Sequence, residues 1–278
     1  MLIADSQVHI WAASTPERPW PAGTVPQRPV PFSKDDLLRD MDEAGVHRVV
    51  ICPPSFEGYR NDLGLEAARL HPDRFAVMGR FDVSAPGARG QMATWRQQPG
   101  MLGVRHMFTL EGPVEDWFWA EAEAAGVPIM VTVAPAHLEL IDQAAKSHPG
   151  LKLAIDHLGI LHGFYGGTYV RDKDDKAFAH LDQLLALAKR PNIAVKVSAL
   201  PCYTTDSYPY RRLHPHIRSV YDTFGPKRMF WGSDRTKLPC PYRQAVTMFT
   251  EEIPWLTPED KEWIMGRGLC EWIGWTLP

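Results

Sequence analysis

Leu2-Ile3-Ala4-Asp5-Ser6-Gln7-Val8-His9-Ile10-Trp11 is the stretch on which the reading of this chain turns. It is apolar and β-branched, with polar groups entering at every second place, and it predicts a strand. Strand side chains alternate in direction, so Ile3, Asp5, Gln7 and His9 share one face, and Ala4, Ser6, Val8 and Ile10 take the other. A face carrying Asp, Gln and His does more than fill a core. The plainer account is a buried histidine held by Asp5 or by backbone, since buried polar groups need only a partner. Chemistry is to be sought at the C-terminal end of the strand, at Gln7 and His9.

Outward from this strand the chain alternates between strand and helix. Further strands are expected at 47–52, 75–82, 102–108, 128–133, 151–157, 193–199 and 228–232. Ser33 is a helix N-cap with Asp36 three residues on; Leu37, Leu38, Met41 and Ala44 form the apolar stripe, and Gly45 is the stop. Other helices are expected at 61–71, 115–125, 137–148, 176–189, 242–252 and 258–273, with a weak one at 91–97. Two segments are irregular. Residues 12–32 carry Pro16, Pro19, Pro21, Pro26, Pro29 and Pro31, which suits a lid or binding loop, and 159–175 is rich in Gly and aromatic residues.

Eight short apolar strands alternating with helices predict an α/β fold with parallel strands and crossover helices. A closed (β/α)₈ TIM-type barrel is the first choice, as a single domain over 1–278. An open doubly wound sheet comes second, because no Gly-rich phosphate turn follows the first strand.

Composition narrows the function classes. With 45% hydrophobic and 23% charged residues the chain is ordinary globular protein, and a net charge of −3 gives no reason to expect nucleic acid. Cys52, Cys202, Cys240 and Cys270 are widely spaced, against a zinc ribbon or a disulfide scaffold, so reduced thiols in a cytoplasm are expected. No secretory signal and no membrane-length apolar run is visible. A Gly-x-Ser-x-Gly elbow does not occur, and Cys52 on a strand suits a small buried apolar group.

In such a barrel the active site lies at the C-terminal strand ends. There the sequence places Gln7 and His9, Arg105 and His106, Asp156 and His157, Lys196 and Ser198, then Asp234 and Arg235. Alternation puts His157 on the face of Leu153 and Ile155, and Asp234 on the face of Phe230 and Gly232. The neighbouring loops gather Arg171, Arg211, Arg212 and Lys237, with Trp11, Trp20, Phe164, Tyr165, Tyr169, Tyr203, Tyr208 and Tyr210. Cations among aromatic walls suit a small cyclic carboxylic acid, though some of these rings only pack the loops. His106, His162 and His214 are read as structural.

The segments Asp5-Ser6-Gln7-Val8-His9-Ile10-Trp11, Gly103-Val104-Arg105, Asp156-His157-Leu158-Gly159 and Trp231-Gly232-Ser233-Asp234 resemble the amidohydrolase superfamily. The likeness is to its amidohydrolase-related (amidohydrolase 2) branch of lactonases, pyrone hydrolases and nonoxidative decarboxylases. The resemblance implies a distorted barrel with long active-site loops, and His9, His157 and Asp234 as catalytic residues and as ligands of one divalent ion, zinc or manganese. Gln7 stands where the family's first histidine is usual, and Lys196 lies on a strand whose usual histidine is missing. A binuclear site is not expected. Gln7 would be a weak fourth oxygen ligand, and some lactonases of the branch need no metal.

The implied function is lactone opening in a small cyclic carboxylic acid, with Asp234 as base and Arg105, Gln7, Lys196, Trp11 and Tyr203 around the substrate. The alternatives are metal-dependent decarboxylation of an aromatic or unsaturated acid, and a barrel that binds ligand without turnover. The expected partner is an anionic small molecule, not nucleic acid or membrane. Trp272 and Trp275 would mark a homodimer interface or cap the barrel.

Overall fold

Eight short runs rich in Val, Ile, Ala and Met form β1 (Ala4–Val8), β2 (Arg48–Ile51), β3 (Phe75–Gly79), β4 (Met101–Met107), β5 (Ile129–Thr132), β6 (Leu153–Ile155), β9 (Ile193–Ser198) and β10 (Met229–Gly232). They pair in that order, every pair parallel. Helices between them cover the outside, so this computed structural model is a nearly closed (β/α)₈ barrel. It describes the chain except Pro29, Leu161, Gly166, Gly167 and Pro278, and except the side chains of Thr109, 162–165 and 168–171. No described helix is long and apolar enough to cross a membrane.

Alternation sorts the strand side chains into two cores. Ile3, Val8, Val49, Ile51, Val77, Ile129, Val131, Leu153, Ile155, Val195 and Val197 face outward against the helices. Ala4, Val50, Ala76, Met78, Met130, Ala154, Ala194 and Phe230 fill the interior, joined there by Leu269, Cys270, Ile273 and Trp275. Trp275 is thus buried within the barrel's apolar filling, beneath the Arg48 guanidinium.

The barrel closes where β10 meets β1, and Asp5 is the clasp. Its buried carboxylate accepts the Gln7 amide (2.9 Å), the Ser233 amide (2.9 Å), the Ser233 hydroxyl and the Tyr242 hydroxyl (2.6 Å). Above it the Asp234 amide donates to the Gln7 carbonyl at 3.0 Å. The seam is tight enough to need glycine, since a Cβ on Gly232 would lie 2.4 Å from Ser6 Oγ.

Several local expectations hold. Ser33 and Asp36 form a capping box at the head of helix Lys34–Ala44, and Gly45 ends it with φ 77°. Others are corrected. A bulge between Asp5 and Val8 breaks the alternation of β1. Asp5 turns outward to Tyr242, while Gln7 and His9 turn inward, so the expected common face is split. β6 ends at Ile155, and His157 leaves the face of Leu153 and Ile155 through a left-handed turn (φ 51°). The helix expected at 176–189 is α-helical only over Leu181–Leu185, and that at 258–273 is interrupted by a π-turn at Trp263–Arg267. Elements not foreseen include the short helix Phe108–Glu111, helix His214–Phe224, and an antiparallel hairpin of β7 (His162–Tyr165) and β8 (Thr168–Arg171).

The clasp yields a stability prediction. Tyr242→Phe removes one donor and should cost about 1–3 kcal/mol, read as a lower urea midpoint with unchanged slope. Asp5→Ala strands the Ser233 and Gln7 amides as well and should cost more. Two midpoints equal to the parent's would show that Asp5 is not what closes the barrel.

Candidate active site

The site is built in two layers, each one pleat above the last. Beneath lies a buried polar layer on the inward positions of β4, β5, β6 and β9. Asp156 takes Lys196 Nζ on one oxygen (2.8 Å). Its other oxygen takes Arg105 Nε and Thr132 Oγ1 (2.8 Å each). Arg105 Nη2 reaches Thr132 Oγ1 at 2.7 Å. Lys196 and Ser198 have 0% exposure, and Arg105 has 3%. Charges so far from water must be paired. Burial would push the Asp156 carboxyl up, but Lys196 and Arg105 hold it far below the usual range.

Above it stand Gln7, His9, His157, Ser198 and Asp234. Lys196 Nζ donates also to Gln7 Oε1. Gln7 Nε2 lies 3.2 Å from His157 Nε2, and His157 Nδ1 lies 2.7 Å from Ser198 Oγ. His9 Nδ1 meets the carbonyl of Cys52. A carbonyl only accepts, so that nitrogen carries the proton and His9 Nε2 turns a lone pair on Asp234. His9 Nε2 is 3.3 Å from Asp234 Oδ1, and His157 Nε2 is 3.7 Å from Oδ2. Lys237 Nζ stands 2.8 Å from Oδ2.

His157, Leu158, Ala199 and Asp234 all hold positive φ, at 51°, 55°, 58° and 49°. Such backbone costs of order 1–3 kcal/mol per non-glycine residue and persists only where the surroundings over-determine it. Here it aims His157 and Asp234 at one another from the ends of β6 and β10, on either side of β9.

Burial pushes His157 down to about 3 and lowers His9, in each case against the pull of Asp234. Burial would raise Asp234, but Lys237, His9 and His157 outweigh it and hold the carboxyl well below its usual range. An anionic Asp234 therefore sits between two neutral imidazoles. Both its oxygens are buried; Oδ2 meets the Lys237 ammonium, and Oδ1 faces His9 Nε2. Asp234 Oδ1 and His9 Nε2 converge here beside the Lys237 ammonium, an arrangement that suits a molecule that donates protons.

Of the residues expected around the substrate, the structure brings Lys196 and Arg105 beneath His9, His157 and Asp234, and Gln7 beside them. Trp11 packs edge-on against Phe56 (5.7 Å), at 1% exposure, and Tyr203 is buried in the outer core. Arg235 turns away to Asp40 (2.9 Å), and Arg212 lies near Asp174 (3.6 Å). Tyr208 packs edge-on against Tyr210, and Trp20 packs tilted against Phe56. His106 is held by Glu111 and the Gly112 carbonyl, a structural role. The side chains of His162, Phe164, Tyr165, Tyr169 and Arg171 lie outside the described residues. Sequence reasoning counted Lys237 only among the loop cations. Its place three residues after Asp234, in the same tight turn, was the available signal.

The residues present do not fit a resident metal ion. Among the described residues no three His, Cys, Asp or Glu side chains are gathered into a metal-holding group. Gln7 turns its only oxygen to Lys196, and its N–H stands against the His157 nitrogen a metal would need. The Asp234 carboxylate is already countered by Lys237. Two ammonium groups supply the positive charge.

The chain matches the amidohydrolase family model over residues 4–267. It is 26% identical to an L-fucono-1,5-lactonase of Burkholderia ambifaria over 246 residues, covering 83% of this chain and 79% of that one. Among solved structures it resembles an amidohydrolase of Burkholderia multivorans with bound zinc (TM-score 0.79, 22% identity, all of both chains). It also resembles a probable 2-pyrone-4,6-dicarboxylic acid hydrolase of Acinetobacter baumannii with citric acid bound (TM-score 0.78, 18% identity, 99% of this chain and 100% of that one). The chain belongs to the amidohydrolase family and is a hydrolase of that family.

Proposed function

We propose that this enzyme opens lactones by attack of water on the ring carbonyl, without a resident metal ion. The observation that carries the reading is the buried Asp234 carboxylate, held by Lys237 at Oδ2 and faced by His9 and His157. A water donating one proton to Asp234 and the other to His9 Nε2 presents its lone pair to a carbonyl carbon above them. As its oxygen bonds to that carbon, one proton passes to the Asp234–His9 pair. The ring C–O bond then breaks, and the proton returns to the departing alkoxide, leaving a hydroxy acid. Lys237, beside Asp234 and 19% exposed, is placed to answer negative charge on the carbonyl oxygen. Arg105, bound through Nε to Asp156 and through Nη2 to Thr132, adds positive charge beneath the site.

The relative that is a lactonase supports this class, as does the cation-lined setting for a cyclic acid or sugar acid. The same reading puts the enzyme in the cytoplasm, supported by four cysteines that form no disulfide. The buried Cys52 thiol, pushed up to about 11 by desolvation, is no nucleophile.

The test is hydrolysis of a panel of aldono-1,5-lactones and carboxylated 2-pyrones. Asp234→Asn should lower kcat by about 10²–10⁴-fold, with unchanged circular dichroism. Carbon dioxide released from an aromatic acid, with no lactone opened, would replace this reading by decarboxylation. Binding with no turnover would make the barrel non-catalytic.

Two further outcomes follow from the charges. Dialysis against a chelator should leave the rate unchanged; a rate lost there and restored by zinc would overturn the metal-free assignment. Because Asp234 and His9 are both shifted downward, they still accept protons below the ordinary histidine range near 6.5. The acid limb of kcat/KM should therefore lie below that range. A limb centred on an ordinary histidine value would show that a solvated histidine is the base.

A further inference from the structure

We propose that Lys196 and Gln7 act as a hydrogen-bond relay that holds His157 in its Nδ1–H tautomer, with Nε2 accepting from the Gln7 amide and the ring neutral beside Asp234. The relay rests on the site assigned above and deepens it. Its first link is chemical necessity. Lys196 is fully buried, and an ammonium can only donate. It donates to Asp156 Oδ1 at 2.8 Å and to the amide of Gln7.

The orientation of a glutamine amide is assigned from its partners, and here one partner allows a single answer. The reversed amide would set an NH₂ group against the Lys196 ammonium at hydrogen-bond distance, donor against donor. Oε1 therefore faces Lys196, and Nε2 must face His157.

The second link follows. Gln7 Nε2 lies 3.2 Å from His157 Nε2. An NH₂ group has no acceptor to offer, so a proton on His157 Nε2 would again set donor against donor. Both the Nε2–H tautomer and the imidazolium are excluded, and the ring proton sits on Nδ1. Ser198 Oγ lies 2.7 Å from Nδ1 and also accepts the His157 backbone amide at 3.3 Å, so the hydroxyl oxygen receives both. The direction of donation runs from Lys196 through Gln7 and His157 to Ser198. His9 reaches the same state independently, through its bond to the Cys52 carbonyl.

Lys196 and Gln7 are thus positioning residues, acting on the reaction through His157. The test is nitrogen-15 NMR of the histidine side chains in the full-length protein near neutral pH, with His157→Asn to assign the signal. The parent should show a pyrrole-type Nδ1 and a pyridine-type Nε2 at His157. Gln7→Glu keeps the size of the side chain and its contact with Lys196, but offers a carboxylate oxygen to the ring. It should move the proton to Nε2 and lower kcat more than it raises KM. Lys196→Met frees the amide to turn and should give a mixture of both tautomers.

A protonated Nε2 in the parent, or an unchanged His157 in Gln7→Glu, would overturn the relay. If Gln7→Glu does not fold, the parent spectrum alone still decides. The expected tautomer in a protein that opens no lactone would leave the relay standing and remove the proposed function. Lactone opening with Nε2 protonated would do the reverse.

Discussion

A lysine ammonium with no access to water is the constraint around which the interior of this barrel is arranged. Lys196 lies on β9 with its side chain wholly inside. A buried charge stripped of its partner costs about 3–5 kcal/mol, so the strands around it must answer. Asp156 answers from β6, and shares itself with Arg105 of β4. Two cations then stand against one carboxylate. Asp234, the next buried anion upward, meets its own cation in Lys237, and Lys237, His9 and His157 hold its carboxyl down.

Room for these long side chains comes from the layer below. Ala4, Ala154 and Ala194 are small residues on inward positions of β1, β6 and β9. Two residues further on, the same strands present Ser6, Asp156 and Lys196 inward. Met78, Met130 and Phe230 fill the level beneath, so the polar layer rests on an apolar floor. Stacked layers of inward side chains are how a barrel of this kind is packed. Here the upper layers are polar, which keeps the C-terminal end for chemistry and leaves the rest to stability.

The sequence shows this plan unevenly. Strand and helix order follow from local periodicity, and so does the cap at Ser33, because those signals lie within a few residues of one another. His9, His157 and Asp234 are visible as polar groups at strand ends. Their orientation is less so. A bulge in β1 parts Asp5 from Gln7, and left-handed backbone turns His157 off its strand's face; strict alternation hides both. Helix His214–Phe224 was passed over although Pro215 stands in its first turn, a helix-start signal. The bonds that decide the site join residues far apart in the chain. Lys196 meets Gln7 across 189 positions and Ser233 meets Asp5 across 228, and no window of sequence contains either pair.

Gln7 also shows why residue type matters more than polarity at this position. An amide has two unlike ends: one accepts, the other donates. Held by an ammonium at its oxygen, it must present N–H to whatever lies beyond, so a fixed charge at Lys196 becomes a fixed direction of hydrogen bonding at His157. A carboxylate has two like ends and would pass an acceptor onward; an imidazole could answer either way, according to its own proton. Of these three, only the amide carries direction without carrying charge. That suits a site where one carboxylate must remain the sole anion between two neutral rings, since a second anion beside His157 would draw a proton onto its Nε2 and spoil the acceptor. The pairing of Lys196 with Gln7 therefore reads as one device, in which each residue accounts for the other.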